Sequence, residues 1–435
     1  MKKLICLAFV ACAALAQAVS VSNVSARQRW PWNNLVDVTF DVDGTAGAAY
    51  SVEVRATCAN GAQELTARTL RSEPIAKVGA NRLVWDFGAD YPNFRADDMK
   101  VSVLVTPFSD ATPVYLIIDV SGGVSATSYP VRYTTVDPVH TVGANDPCKT
   151  TEIWLKRVKA GGGTVSGTGN YGGFKGHTFN LTEDYYLGIF PVTQAQWEKV
   201  GSGLLTDGQH SFFTNPAYAA TRPVDNVGFY PVYGSYYYPQ DATITADSFF
   251  KRLRDKTGLA RLNLPSAWQF QWAVRAGDLT GGQYAGCTPR TRANSLPAGI
   301  TTVANKDSTW SEDYGTCYVD RGAPNAWGFY SMLGNVDEWS CTMKGWESAL
   351  LEGDILPDDY IGPLPGSNRE SFRFIQGGNW ASSISGTWEV ELRYDSYITS
   401  YYGAYLPYSY NQHGTGLNEG TQGFRICLPL PKAAQ

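Results

Sequence analysis

The 435-residue sequence predicts two domains of different class. The first is an all-β sandwich of the immunoglobulin or fibronectin kind over residues 19–115; the second, from residue 150 to 435, mixes short strands, a few helices and long irregular stretches. Three observations carry this reading. Residues 19–115 alternate apolar and polar side chains in runs such as "LVDVTFDV", "AAYSVEVRAT", "NRLVWDF" and "MKVSVLVTP", bounded by Gly, Asn, Asp and Pro, which is the period of half-buried strands. Residues 190–277 hold three stretches with helical periodicity and capping residues. Beyond Gly277 the chain is rich in Gly, Pro, Asn, Trp and Tyr, and its 13 Trp residues argue for ordered loops.

Taken in order, residues 1–18 place Lys2 and Lys3 before a short apolar run ending Ala-Gln-Ala, the layout of a secretory signal cleaved after Ala18. Cys12 offers a lipid-attachment reading of the same stretch. In the sandwich Trp85 is expected in the core. Residues 116–149 are dominated by turn formers and read as a linker with room for a strand or two. "GHTFNLTEDYYLGIFPVTQAQWEKV" then reads as a strand followed by a helix with Thr193 as N-cap and Trp197 on the buried face. "ADSFFKRLRDKTG" is an amphipathic helix with Phe249, Phe250 and Leu253 inward and Gly258 as its stop. "LPSAWQFQWAVRAG" is a third helix, capped by Ser266, with Trp268, Trp272 and Arg275 spaced to meet on adjacent turns.

The net charge of −5 becomes −7 once Lys2 and Lys3 are removed, and no basic cluster occurs, so nucleic acid is not an expected partner. No later stretch is apolar enough to span a bilayer. Secreted, periplasmic or cell-surface placement is expected. Cys58, Cys148, Cys287, Cys317, Cys341 and Cys427 remain after cleavage. An even number in an oxidising compartment suggests structural disulfides, with the pairing open. No C-x-x-C, G-x-S-x-G, His-Glu-x-x-His or Walker motif occurs.

Six motifs follow one another in a fixed order: "FPVTQAQWEKV" (190–200), "RPVDNVGF" (222–229), "RLNLPSAWQFQWAVRAG" (261–277), "PNAWGFYSMLGNVDEW" (324–339), "RFIQGGNW" (373–380) and "GFR" (423–425). Together they resemble the formylglycine-generating enzyme, or sulfatase-modifying factor, family. The resemblance implies a C-type-lectin-like α+β fold with little regular structure over residues 150–435. Active oxidases of that family bind copper(I) through a cysteine pair shortly after the Gly-Gly-Ser/Asn-Trp motif, a task suited to soft thiolates. Here the matching positions fall near Ser385 and Val390, and no cysteine lies between Cys341 and Cys427. Copper is therefore not an expected cofactor. A second branch of the superfamily pairs the domain with an iron-binding His-x-x-x-His-x-Glu set, which the four scattered histidines His140, His177, His210 and His413 do not supply.

The resemblance also implies a calcium site made by the carbonyls of Leu333, Gly334 and Val336 with the Glu338 carboxylate, an all-oxygen set suited to a hard cation. The competing reading is a tight turn in which Glu338 accepts hydrogen bonds. Between the "GGNW" and "GFR" frames stand Tyr394, Tyr397, Tyr401, Tyr402, Tyr405, Tyr408 and Tyr410, spaced by Ser, Gly, Asn and Asp. That composition suits a recognition surface, because Tyr offers broad amphipathic area with few torsions to freeze; the alternative is packing between loops. The family includes the variable proteins of diversity-generating retroelements, which keep such a frame and vary the segment within it. The expected function is ligand binding without catalysis, the ligand being a protein or glycan. Two alternatives stay open: an oxidase or other divergent enzyme recruiting Cys341 or Cys427, and an envelope structural protein.

Overall fold

The computed structural model describes residues 19–29, 34–108, 113–165, 178–202, 219–225, 227–233, 248–279, 316–344, 355–356, 372–377 and 422–430. The chain divides into two compact units, Met1–Thr112 with Tyr133–Thr135, and Pro113–Arg132 with Val136–Gln435.

The first unit holds β1 (Ser20–Gln28), β2 (Leu35–Asp43), β3 (Ala49–Cys58), β4 (Gln63–Thr66), β5 (Ile75–Lys77), β6 (Gly79–Asp86), the single-turn α1 (Phe87–Asp90) and β7 (Lys100–Pro107). One sheet runs β1–β2–β6. In the other, β7 pairs with β3 from Tyr50 to Thr57, while β4 and β5 pair with β3 over Arg55–Cys58 and Ala49–Ser51. The alternation in β2 is the reason it lies where it does: Val36, Val38, Phe40 and Val42 are buried while Asp37, Thr39 and Asp41 are not. They share one core with Val52, Val54 and Ala56 of β3 and with Leu83 and Trp85 of β6.

The second unit contains β8 (Tyr115–Asp119), β9 (Val131–Thr134), α2 (Pro147–Thr150), β10 (Glu152–Val158), β11 (Gly162–Thr164), β12 (Thr178–Asn180) and β13 (Tyr185–Gly188). The helices α3 (Gln194–Gly201), α4 (Phe229–Tyr233), α5 (Phe249–Thr257) and α6 (Ala267–Val274) follow, then β14 (Asp337–Lys344), β15 (Ile355–Leu356), β16 (Phe372–Gln376), β17 (Gln422–Gly423) and β18 (Cys427–Pro429). β9 reaches into residues assigned to the first unit. The main sheet has the order β18–β13–β10–β8–β9, and two small sheets run β16–β14–β17 and β11–β12–β15. The stretch read as a linker with room for a strand or two holds most of β8 and all of β9. The apolar run of β8 pairs with β10, placing Ile118 opposite Ile153 and Leu116 opposite Leu155 in the core.

Local chemistry sets the helix starts. Thr193 and Gln196 form a reciprocal capping box at α3, as do Ser266 and Gln269 at α6. Ser248 caps α5, and Gly258 ends it in the left-handed region at φ 74°. Trp197 stacks on Phe249 at 5.4 Å. Trp268 stacks on Phe179 at 4.9 Å, Trp272 meets the same ring edge-on at 6.2 Å, and Arg275 donates to Gln271 one turn earlier at 3.3 Å. Cys58, Cys148 and Cys427 are buried free thiols rather than disulfide partners, and Cys317 and Cys341 are buried as well.

Candidate functional site

The "LGNVDEW" turn and the "GFR" tail meet through one ion pair. Arg425 donates from Nε to Glu338 Oε2 at 2.9 Å and from Nη2 to Oε1 at 2.8 Å, with both side chains essentially inaccessible. Its remaining donors reach the carbonyls of Gly188 (2.7 Å), Tyr330 (2.8 Å) and Ser331 (3.4 Å). Burial holds the Glu338 carboxyl above its ordinary value, with Arg425 offsetting only part of that rise. A guanidinium satisfied at this many points ties β13, the 330–338 turn and the C-terminal strands into one body.

Around this pair the backbone is tightly specified. Gly334 N donates to Gly377 O at 2.7 Å, and Gly377 sits at φ 94° where a Cβ would come within 2.8 Å of Met332 O. Asn335, at φ 68°, clamps Cys317 by accepting from its N and donating to its O at 3.0 and 3.1 Å. Trp339 donates from Nε1 to Val227 O at 2.7 Å and meets Phe229 edge-on. Arg275 donates to Gln271, which donates to Gln376 at 2.9 Å, a buried polar chain joining α6 to β16.

A second polar centre lies where the linker was expected. Asp320 accepts from Lys149 Nζ (2.7 Å) and the Gly143 amide (3.1 Å), and His140 Nδ1 lies 3.1 Å from it. An ionised carboxylate can only accept, so Nδ1 donates to it, while His140 Nε2 lies 3.2 Å from the Tyr330 hydroxyl. Burial alone would raise the Asp320 carboxyl; the bonds from His140, Lys149 and Gly143 and the Lys149 charge hold it below the usual carboxylate range. The periodic patterns gave no signal for this cluster, because His140 and Asp320 are joined only by the tertiary fold.

The tyrosines Tyr394, Tyr397, Tyr401, Tyr402, Tyr405, Tyr408 and Tyr410 lie outside the described residues, as do Ser385, Val390 and Trp380. Leu333, Gly334, Val336 and Glu338 are all buried together. Gly334 O already accepts from Val336 N at 2.9 Å, and Glu338 accepts from the Arg425 side chain. Among the described residues no group of three or more His, Cys, Asp or Glu side chains gathers as a metal site.

A family model described as "Sulfatase-modifying factor enzyme 1-like domain" matches residues 151–429. Solved structures similar to the chain include "Treponema denticola variable protein 1", at 22% identity and a TM-score of 0.41, covering 68% of this chain and 100% of that one. CarF is similar at 16% identity and a TM-score of 0.37, covering 64% and 99%. No curated protein matches. Among the described residues no helix is long and apolar enough to cross a membrane.

Proposed function

The chain belongs to the sulfatase-modifying factor enzyme 1-like domain family through residues 151–429, and from that premise we propose that it is an exported, non-catalytic scaffold that binds a protein or glycan through its tyrosine-rich segment 394–410. The observation that carries this reading is the contrast between frame and chemistry. The frame is built from Arg425, Glu338, Trp339 and Gly377, while no cysteine lies between Cys341 and Cys427 to supply the copper(I) thiolates of the oxidase. Cys427 is no substitute: burial raises its thiol well above the ordinary value, against the thiolate form a metal needs. The first unit serves in this proposal as an immunoglobulin-like spacer.

The test is direct. Reduced protein titrated with copper(I) should show no stoichiometric site, and a sulfatase-motif peptide supplied with copper and dioxygen should keep its cysteine. Conversion of that cysteine to an aldehyde overturns the proposal. Calcium at Leu333, Gly334, Val336 and Glu338 remains part of it, with a qualification from electrostatics: the cation would meet a carboxylate whose charge Arg425 already balances.

A further inference from the structure

Residues 136–146 form a strap that is tied down on both sides of one exposed peptide bond, Val139–His140. Pro138 fixes its own φ and keeps Asp137 extended. A turn closed by Ala144 N on Thr141 O at 3.0 Å, with Gly143 at φ 73°, ends the extended stretch. Before the bond, Asp137 Oδ1 accepts from the Tyr115 hydroxyl at 2.5 Å. After it, the His140 ring is held by Asp320 and Tyr330 and meets Phe190 edge-on at 5.7 Å. The Gly143 amide donates to Asp320 at 3.1 Å, and Lys149 Nζ donates to Thr141 O at 2.7 Å. Tyr115, Phe190, Asp320 and Tyr330 all belong to the second unit, so both shoulders rest on one body.

Between these anchors Val139 is 90% exposed, the highest value for any large apolar side chain among the described residues, and Val136 and Val142 beside it are 48% and 60% exposed. Among the described residues the backbone of Asp137, Pro138, Val139 and His140 makes no hydrogen bond. The strap thus combines an extended backbone with unused N–H and C=O groups, an apolar side chain at its most exposed point and fixed shoulders. Serine proteases take a chain in this form, pairing its backbone as an added strand and drawing one side chain into a pocket. A loose loop would lose conformational entropy on being held so; here the anchors have already removed that cost.

We infer that the strap is a reactive-site loop that blocks a serine protease of small aliphatic specificity, with Val139 in the specificity pocket. Valine suits the small pocket of an elastase-type enzyme and not the aspartate-floored pocket that selects Lys and Arg. Attack of the protease hydroxyl on the Val139 carbonyl breaks the Val139–His140 bond, forms an acyl ester and passes the hydroxyl proton to the His140 nitrogen. In an ordinary substrate that amine diffuses away and water hydrolyses the ester. Here the His140 ring and the Gly143 amide keep the amine side on Asp320, while Asp137 keeps the acyl side on Tyr115. The amine therefore returns to the acyl carbon, the peptide bond re-forms and the proton goes back to the protease oxygen.

Pancreatic elastase, assayed on a small chromogenic substrate with increasing amounts of the full chain, tests this. The wild type should inhibit competitively and be cut only slowly at Val139–His140. Val139→Asp changes one exposed side chain, so it should melt like the wild type and weaken inhibition by about 100-fold or more. Val139→Lys should move the inhibition from elastase to trypsin. His140→Ala releases one shoulder and should turn the inhibitor into a substrate cut at the same bond; if it does not fold, the two changes at Val139 still decide. A wild type that leaves elastase at full rate, or is cut at Val139–His140 as fast as an unstructured peptide of the same sequence, overturns the inference. So does a folded Val139→Asp variant that inhibits like the wild type.

Discussion

Arg425 is a donor-only side chain buried against one carboxylate and three carbonyls, so its removal strands several acceptors at once. Arg425→Ala should cost about 3–5 kcal/mol, the scale for breaking a buried pair from one side. Arg425→Lys should recover only part of this, since a point charge cannot span both Glu338 oxygens. Trp339→Ala should cost about 3–5 kcal/mol by cavity formation, with the Val227 carbonyl losing its donor besides. Chemical denaturation of the three variants gives the ranking. The "GFR" motif was legible as part of the frame, but the partner of Arg425 was not: Glu338 was read as a calcium ligand by resemblance or as a hydrogen-bond acceptor in a tight turn, and only the fold brings the guanidinium to it.

At the scale of elements, the helix starts were legible because caps are local. Thr193, Ser248 and Ser266 each sit within a turn of the groups they cap, and Thr193→Ala should destabilise by about 1 kcal/mol. The strand β8 was missed although "YLIID" is an apolar run, since the turn formers after it masked a pairing with residues more than thirty positions away. The segment 140–149 depends on the lowered Asp320 carboxyl. Its contribution is complete above the ordinary carboxylate value near pH 4 and is lost as pH falls through the lower folded value. Hydrogen exchange should therefore find the Gly143 amide protected at pH 5 and released only in stronger acid, whereas Asp320→Asn, which leaves buried Lys149 only Asp146 at 3.3 Å as counter-charge, should expose it at neutral pH.

At the scale of the whole molecule, the family domain over residues 151–429 was legible from motif order, while the tyrosine-rich segment 394–410 lies outside the described residues. If the tyrosines form the binding surface, replacing Tyr397, Tyr401 and Tyr405 by Ser should abolish capture of the ligand and shift stability by only about 1–2 kcal/mol. If instead that variant melts like Trp339→Ala, the tyrosines belong to the core. Calcium addition should raise the melting temperature of the second unit only slightly, and Arg425→Met should enlarge that rise by leaving Glu338 uncompensated. The Arg425 pair has one more consequence, in the order of synthesis. Its partners at Gly188, Tyr330 and Glu338 emerge from the ribosome long before it does, and β18, which completes the main sheet against β13, follows directly behind it. The first unit can fold while the chain is still growing; the second stays unlocked until residues 422–430 are made, which leaves a long interval in which its apolar surfaces are open to association.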